Sequence, residues 1–221
     1  MAEIAIFDLD YTLTKRGTWA RFVIRNVLYK PWLWIPLGFF TACAQWQYKK
    51  DKIDRISVKQ AMMRWSMVGQ SRSSMERLAE NFAAKEVKSG LRLGAIKALE
   101  HHRDAGHMII IASAAVDIIV APIAKRLGIT HWVATDMKWD NDKLAPEFAS
   151  PNCYGSEKLR RVKKLLNDNP ELKQNNTVIT MYTDSYSDLE ILRFSDNGVA
   201  VNADRDLREA AKGENFEIVE W

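Results

Sequence analysis

Short apolar runs that alternate with amphipathic stretches make up most of the chain. Five runs have the length and residue types of buried strands: 3–7, 107–112, 177–182, 197–201 and 216–219. Helical spacing of apolar positions fills the intervals over residues 91–105, 115–127, 156–167, 186–194 and 204–212. Residues 132–145 predict a further strand and a hairpin around an Asp-Asn-Asp turn. Strands that alternate with helices predict an α/β fold with a parallel sheet covered by helices on both faces.

Residues 14–90 interrupt this alternation. They follow the first strand, where a short turn would normally lead into a helix, and their pattern is helical throughout. We therefore predict a catalytic core formed by residues 1–13 and 91–221, and an inserted all-helical cap formed by residues 14–90. The insertion leaves the carboxyl end of the first strand, which is the ligand-binding edge of open α/β sheets. A cap there can cover a site and select what enters it.

Charge is distributed unevenly between these parts. The formal net charge of the 221 residues is +4, but residues 15–74 contain twelve Lys and Arg against two Asp and carry +10. The remainder of the chain therefore carries −6. Five of the eight Trp lie in the same basic window. A basic, Trp-rich stretch within an acidic remainder indicates two parts with different tasks.

Composition excludes several classes of protein. With 47% hydrophobic and 27% charged residues, the chain is neither disordered nor fibrous. Two cysteines provide neither a disulfide framework nor a zinc cluster, and the start MAEIAIF lacks the features of a signal peptide, so we expect a cytoplasmic location. The four histidines, His101, His102, His107 and His131, lack metal-ligand spacing, and we expect His107 and His131, which flank predicted strands, to be structural. The basic window contains no recognisable nucleic-acid-binding module, so no nucleic acid partner is expected.

Two carboxylates follow the first predicted strand directly, in the run DLDYT that starts at Asp8. Carboxylates beside a buried strand are costly unless a metal ion or hydrogen bonds use them. Alternate residues of an extended segment point the same way, so we expect Asp8 and Asp10 to face one site. One can bind a hard cation and attack an electrophile while the other transfers a proton. The alternative is a strand-end turn in which the aspartates cap local amides.

Two further polar residues occupy comparable positions. Ser113 follows the strand predicted at 107–112, and a hydroxyl beside the amides of a helix start is suited to anion binding. Lys158 opens the helix predicted at 156–167, where it can hold a phosphate as a point charge. The plainer alternatives are an ordinary serine N-cap and a solvated lysine.

A last acidic pair, Asp184 and Asp188, follows the strand predicted at 177–182. Helix capping by Asp184 or Ser185 is the simpler interpretation, and it is compatible with metal binding. Because the carboxyl ends of parallel strands share one edge of a sheet, all four polar elements are expected to meet there.

This arrangement resembles the haloacid dehalogenase superfamily of phosphohydrolases. DLDYT matches its DxDxT motif, Ser113 its second motif, Lys158 its third, and the acidic pair of DSYSD its fourth. The similarity covers nearly the whole chain, and the inserted helices resemble the cap of the phosphoserine-phosphatase-like branch.

The resemblance implies a role for each matching residue. Asp8 would be the nucleophile that becomes phospho-aspartate, and Asp10 would protonate the leaving alcohol and then activate water. Asp184, Asp8 and the backbone carbonyl of Asp10 would hold Mg²⁺. The phosphoryl oxygens would be bound by Ser113, Ala114 and Lys158. The site would be supported by Thr12, Ser185 and Asp188.

Two departures concern the substrate. Ser113 is followed by two alanines where phosphoserine phosphatases usually have two glycines, and LTKRGTW after Thr12 offers no carboxylate to a substrate ammonium. Both departures disfavour phosphoserine.

Residues 31–48 contain no charged residue and are flanked by lysines on both sides. Because proline and glycine interrupt the stretch, an interfacial helical element is favoured over a membrane span. The candidate membrane or substrate surface consists of Trp32, Trp34, Phe39 and Phe40. The alternatives are that these aromatics form the core of the cap or a dimer interface.

A hydrophobic, basic cap on a DxDxT core is also similar to bacterial phosphatidylglycerophosphatases of this branch. That resemblance implies a lipid phosphomonoester, such as phosphatidylglycerophosphate or lysophosphatidate, and a peripheral position at the inner face of a membrane. The alternatives are a phosphatase of small soluble phosphomonoesters and a non-catalytic protein that binds a membrane surface.

Overall fold

A computed structural model describes residues 3–172 and 177–221. The strands of the described residues are β1 (Glu3–Phe7), β2 (Met108–Val116), β3 (His131–Thr135), β4 (Met137–Asp140), β5 (Lys143–Phe148), β6 (Val178–Thr183), β7 (Asn197–Val201) and β8 (Glu217–Val219). Six of them form one sheet in the order β3-β2-β1-β6-β7-β8, and every neighbouring pair is parallel. The remaining two, β4 and β5, form an antiparallel hairpin.

The α-helices of the described residues are α1 (Thr18–Val27), α2 (Trp34–Lys49), α3 (Arg55–Arg64), α4 (Arg72–Lys85), α5 (Leu93–Asp104), α6 (Asp117–Arg126), α7 (Ser156–Asp168), α8 (Leu189–Phe194) and α9 (Arg205–Glu214). The first four belong to the insertion, residues 14–90, and the other five connect the strands of the sheet.

Successive side chains of β1 point to opposite faces of the sheet, and because residues 4–7 are all apolar, the strand is apolar on both faces. Ala5 and Phe7 pack into one buried cluster with residues of α1, α4, α5 and α6. Ile4 and Ile6 pack on the opposite face with residues of α7, α8 and α9. Because successive side chains of a strand point to opposite faces, a central strand that is apolar at every position requires helices on both sides. The predicted parallel α/β fold is therefore confirmed.

Strand β2 is longer than predicted, and this corrects the position of Ser113. The strand continues to Val116, which pairs with Thr135 of β3 after a shift in register. Ser113 therefore lies within the strand and not at a helix start, and α6 begins only at Asp117. Small apolar residues after Ser113 allow the chain to continue along the neighbouring strand.

Two other predicted elements differ in detail. The helix predicted over 186–194 consists of a single 3₁₀ turn, Tyr186–Asp188, followed by α8. The predicted hairpin turn is formed by Asn141 and Asp142, whose φ angles of 47° and 64° suit a tight turn between antiparallel strands.

The insertion is continuous with the core of the sheet. Phe22, Met63 and Phe82 belong to the same buried cluster as Phe7. An isolated bridge between Thr14 and Leu91 closes the base of the insertion. The division into a core of residues 1–13 and 91–221 and a cap of residues 14–90 stays a prediction; residues 1–2 and 173–176 of that core lie outside the described residues.

The outer part of the insertion is apolar and exposed. Trp32 is 69% exposed, Trp34 53%, Phe39 62% and Phe40 37%. Within α2 the one buried residue is Ala44. The interpretation that these aromatics form the core of the cap is wrong for Trp32 and Phe39, which face solvent, whereas Trp34 bonds the Val27 carbonyl and Phe40 stacks on Trp65. Across the described residues, every helix is too short or too polar to cross a bilayer.

Candidate active site

The first motif forms a tight loop at the carboxyl end of β1. The backbone N–H of Asp8 donates to the carbonyl of Tyr182 at 2.9 Å, which extends the sheet by one bond. The chain then turns within Leu9–Leu13, where Tyr11 has a φ of 63°, and is therefore not the extended segment predicted for this motif. A left-handed tyrosine is uncommon and strained, and Arg92 Nε holds the Tyr11 carbonyl at 2.8 Å.

Lys158 links the first motif to the last. Its Nζ donates to Asp8 Oδ1 at 2.8 Å and to Asp188 Oδ2 at 2.6 Å. The Thr183 hydroxyl donates to the same Asp188 oxygen at 2.7 Å. Lys158 lies in the first turn of α7, as predicted, and Gly155 before that turn has a φ of 57° and a ψ of −131°, a conformation suited to glycine.

Burial dominates the electrostatics of this network. Desolvation raises the pKa of Asp8 to about 8, against the opposing effect of Lys158. Desolvation would lower the pKa of Lys158, but the carboxylates of Asp188 and Asp8 hold it well above its ordinary value. The lysine is therefore a fixed cation, and the site is short of positive charge relative to its carboxylates.

Asp10 and Asp184 are held by separate contacts. The backbone N–H of Thr18, at the start of α1, donates to Asp10 Oδ1 at 2.9 Å. The Thr12 hydroxyl donates to Asp184 Oδ1 at 3.3 Å. Burial raises the pKa of Asp10 and raises that of Asp184 to about 6. One oxygen of Asp188, Oδ1, is buried and has no hydrogen-bond partner among the described residues.

These carboxylates suit a hard divalent cation. Asp8, Asp184 and Asp188 lie on two loops at one edge of the sheet. Lys158 forms ion pairs with Asp8 and Asp188, so one cation faces more than one carboxylate. Mg²⁺ prefers such oxygen donors and usually retains some of its water ligands. The unpartnered Asp188 oxygen is an acceptor that one of those waters can satisfy.

The second motif lies beside this network on β2. Ile111 pairs with Phe7, and Ser113 follows two residues later. The Ser113 hydroxyl accepts from the N–H of Ala115 at 3.0 Å. Ala114 carries the second predicted phosphate-binding position, and its carbonyl accepts from Lys59 Nζ at 2.5 Å.

Ser185 has a local role. Its hydroxyl accepts from the N–H of Ser187 at 3.4 Å, and its own N–H donates to the Thr183 hydroxyl at 3.3 Å. It caps the short turn that places Asp188, so it shapes the fourth motif without contacting Asp8 or Lys158 among the described residues.

Two basic residues of α3 were missed in the sequence. Lys59 Nζ bonds the Ala114 carbonyl and, at 2.6 Å, Asn152 Oδ1, and burial lowers its pKa to about 8. Arg55, one turn earlier, stacks over the ring of Tyr154. Their spacing of four residues was the available signal, but the polar sequence of α3 does not indicate which face meets the sheet.

A cavity of about 700 Å³ opens beside the first and second motifs, and the basic face of α3 lines it. Its lining includes Asp10, Arg16, Arg55 and Lys59 together with Ala114. A second cavity of about 540 Å³ lies between α1 and α2 and is almost entirely apolar. Gln45 and Met62 line both cavities, so the basic chamber and the apolar groove adjoin.

Comparison with known proteins places the chain in a family. Residues 5–193 match the model of the haloacid dehalogenase-like hydrolases. The chain belongs to this family, as the order of its four motifs predicted.

Relatives named as phosphatases support the assignment. Over its full length the chain is 24% identical to the whole of a histidinol-phosphatase from Neisseria meningitidis. It is 26% identical, over 99% of its length and 70% of the relative, to a phosphoserine phosphatase from Mycobacterium tuberculosis.

Solved structures share the fold. A protein of unknown function from Bordetella pertussis superposes with a TM-score of 0.83 at 19% identity, and the match covers 99% of both chains. A substrate-bound phosphoserine phosphatase superposes with a TM-score of 0.66 at 14% identity, covering 99% of this chain and 93% of the other.

Proposed function

We propose that the chain is a Mg²⁺-dependent phosphomonoester hydrolase that acts through a phospho-aspartate at Asp8, with a lipid phosphate as substrate. The observation that carries the proposal is that a basic cavity, lined by Asp10 and Ala114 among others, adjoins an apolar groove in the insertion, since Gln45 and Met62 line both.

Asp8 is proposed as the nucleophile. Since Lys158 holds Oδ1, the other carboxylate oxygen, Oδ2, attacks the phosphorus. The Oδ2–P bond forms while the bond from phosphorus to the ester oxygen breaks, and the leaving alkoxide takes a proton from Asp10. Water then attacks the phosphoryl group and gives a proton to Asp10, and the P–O bond to Asp8 breaks to release inorganic phosphate.

Asp10 suits this exchange because burial raises its pKa and therefore favours the protonated form that the first step requires. The Thr18 amide orients its Oδ1 from the first turn of α1. A shift in the position of α1 would therefore disturb the acid directly.

Mg²⁺ would be held by the carboxylates of Asp8 and Asp184 and by the backbone carbonyl of Asp10. When bound, it supplies positive charge that offsets the repulsion between a phosphate dianion and a carboxylate nucleophile. Thr12 keeps Asp184 in position, and Asp188 keeps Lys158 directed at Asp8.

Phosphate binding is proposed for Lys158, Ser113 and the backbone of Ala114, with Lys59 as a fourth partner. Lys59 bonds only neutral oxygens, from Ala114 and Asn152, among its described hydrogen-bond partners. It is therefore a cation that a phosphoryl oxygen can recruit, which Arg21 is not, because Arg21 forms an ion pair with the buried Glu86.

The apolar groove is proposed to take the hydrocarbon part of the substrate. Its walls come from Val23 and Val27 of α1 and from Leu37 and Ala42 of α2. Each buried methylene of an acyl chain contributes about 0.8 kcal/mol, so a few carbons in the groove distinguish a lipid phosphate from a soluble one.

The exposed aromatics next to the groove are proposed to rest on a membrane surface. Phe39 belongs to the groove-lining helix α2, Trp32 lies in the turn directly before it, and Lys30 and Lys49 flank the apolar stretch. Anionic lipid adds about 1 kcal/mol for each basic residue near the surface. A peripheral position at the cytoplasmic face would place the groove entrance near its substrate.

Gly38 allows a direct test of the groove. It lines the groove, and a Cβ there would meet no atom within 4 Å, so a large side chain enters open space. With Gly38→Phe we expect a loss of at least about tenfold in kcat/KM for lysophosphatidate and phosphatidylglycerophosphate in mixed micelles. Hydrolysis of p-nitrophenyl phosphate should stay within twofold, and Gly38→Ala is the matched control.

A small soluble phosphomonoester is the second candidate, favoured by the names of the relatives and by the basic chamber. If phosphoserine or histidinol phosphate is hydrolysed faster than both lipids, and Gly38→Phe changes nothing, the lipid proposal is wrong. A non-catalytic membrane-binding protein would hydrolyse none of these compounds.

A further inference from the structure

Three potential metal ligands lie close together at the amino ends of the strands, opposite the edge that carries the proposed catalytic motifs. Glu3 is the first residue of β1, His107 precedes β2, and His102 lies in the last turn of α5. Although they are far apart in the chain, one ligand atom from each lies within 4.8 Å of the others. None of the three contacts the proposed catalytic residues among the described contacts.

The separations of the ligand atoms match those around a small metal ion. The two Nδ1 atoms lie 2.9 Å apart, His107 Nδ1 lies 3.3 Å from Glu3 Oε2, and His102 Nδ1 lies 3.8 Å from Glu3 Oε1. A tetrahedral centre with bonds of about 2.0–2.1 Å to nitrogen and oxygen separates its ligand atoms by about 3.3–3.4 Å. The first two distances lie at or below that value, and the third runs to Oε1, the Glu3 oxygen that is not the proposed ligand atom.

Hydrogen bonding alone leaves this cluster short of protons. The two facing Nδ1 atoms share at most one proton when both imidazoles are neutral. If His102 Nδ1 carries it, the bare Nδ1 of His107 faces the Glu3 carboxylate at 3.3 Å. If His107 Nδ1 carries it, that proton serves both His102 and Glu3. A cation in the centre satisfies all three atoms.

The outer atoms of the ligands are already oriented. His102 Nε2 lies 2.9 Å from the Tyr182 hydroxyl, and a proton on Nε2 leaves the Nδ1 lone pair directed at the cluster. The Thr180 hydroxyl donates to Glu3 Oε1 at 2.7 Å, which leaves Oε2 for the centre. Such contacts behind the ligands are typical of metal-binding histidines and carboxylates.

We propose that Glu3, His102 and His107 form a binding site for a divalent transition metal of the zinc class, with water in the fourth position. Two imidazoles and one carboxylate select zinc, cobalt or nickel over magnesium. The side chains of Glu3 and His107 are 22% and 16% exposed, which leaves access for the metal and the water. The metal joins β1, β2 and α5, and therefore ties together the strands that carry Asp8 and Ser113.

The test is metal binding in excess Mg²⁺, which occupies the proposed acidic site. Purified protein, stripped of metal and then dialysed against micromolar Zn²⁺ with millimolar Mg²⁺, should retain one zinc per chain by elemental analysis. Co²⁺ in place of zinc should produce visible absorption bands of a four-coordinate centre. Both signals should be lost, with affinity at least about tenfold lower, in His107→Ala and in Glu3→Gln.

His101→Ala is the matched control, because His101 lies on the same helix turn and only its ring approaches the other two. It should bind as the wild type does. His102→Ala is less informative because His102 is buried, so His107→Ala and Glu3→Gln, at partly exposed positions, decide the outcome. Failure to retain zinc, or retention unchanged in both decisive variants, would overturn the proposal without affecting the proposed phosphatase activity.

Discussion

The edge of the sheet that carries the proposed active site and the outer half of the insertion differ in how far their side chains are exposed to solvent. At the sheet edge, Asp8 is 6% exposed, Lys158 2% and Asp188 1%, and ion pairs link the three. On the insertion, Trp32 and Phe39 are 69% and 62% exposed, and the large apolar surface around them is uncovered.

The difference suits two separate proposed tasks, reaction at the edge of the sheet and selection of the substrate by the insertion. Buried charges are tolerated only when partners hold them, so the edge of the sheet has one arrangement and one chemistry. Exposed apolar surface has no such requirement, and large patches of it mark sites of contact with a partner. Variants in the two regions should therefore affect different measurements.

The largest effect is expected for Asp8→Asn. The amide has nearly the same shape but no nucleophilic oxygen, so kcat for p-nitrophenyl phosphate should fall by at least about 10³-fold. Circular dichroism and vesicle binding should be unchanged, since the insertion is untouched. Asp206→Asn, at an exposed position of α9, is the control. Turnover above a tenth of the wild-type rate would remove Asp8 as the nucleophile.

Removal of divalent metal is expected to have the next largest effect. With EDTA, activity should fall by at least about 10²-fold and return with Mg²⁺, because the phosphate and the carboxylates of the site then lack a neutralising cation. Binding to vesicles should not respond to EDTA. The proposed separation of the two regions would be wrong if activity persists in EDTA or if vesicle binding is lost in EDTA and restored by Mg²⁺.

Lys59→Met tests a basic residue of the insertion that contacts the second motif. We expect kcat/KM to fall about 10–100-fold, because the variant loses a cation beside the phosphate site. An unchanged kcat/KM would exclude Lys59 from the site. Lys50→Met, at an exposed position beyond α2, is the control.

The same variant predicts a dependence of stability on pH. Burial lowers the pKa of Lys59 to about 8 from 10.5, so between these values the unfolded chain binds the proton and the folded chain does not. The free energy of unfolding of the wild type should therefore rise with pH relative to Lys59→Met, by at most about 3 kcal/mol. Below about pH 8 the folded wild type carries the whole cost of the buried charge. Urea unfolding from pH 7 to 10 measures the difference, and parallel curves would contradict it.

The smallest effect is expected on the outer surface. Replacement of Trp32 and Phe39 by serine should reduce the fraction that floats with anionic vesicles at least about tenfold, since each aromatic contributes on the order of 1 kcal/mol. Hydrolysis of p-nitrophenyl phosphate should change less than twofold. Replacement of Leu93, which is 75% exposed on the core helix α5, is the control. A wild type that never floats would refute the membrane contact.

Much of the sheet and of the candidate site could be predicted from the sequence. Asp8 ends a buried strand, and Lys158 lies in the first turn of a helix; both positions follow from local apolar periodicity and hold in the structure. Ser113 was misplaced because the small apolar residues after it fit a strand as well as a helix. Lys59 was missed because nothing in its neighbourhood indicates which face of α3 is turned inward.

The sequence by itself determined the order of the strands along the chain, the four motifs that carry the proposed reacting groups and the separation of a basic part from an acidic part. These depend on local spacing and on residue type, which need no distant contact. The tertiary structure decided which side chains come into contact. It brought Lys158 to Asp8 across 150 positions, directed Lys59 at Ala114, left the aromatics of α2 in solvent and gathered Glu3 with His102 and His107. Such contacts follow from packing in three dimensions, and no local sequence pattern predicts a contact between residues that are distant in the chain.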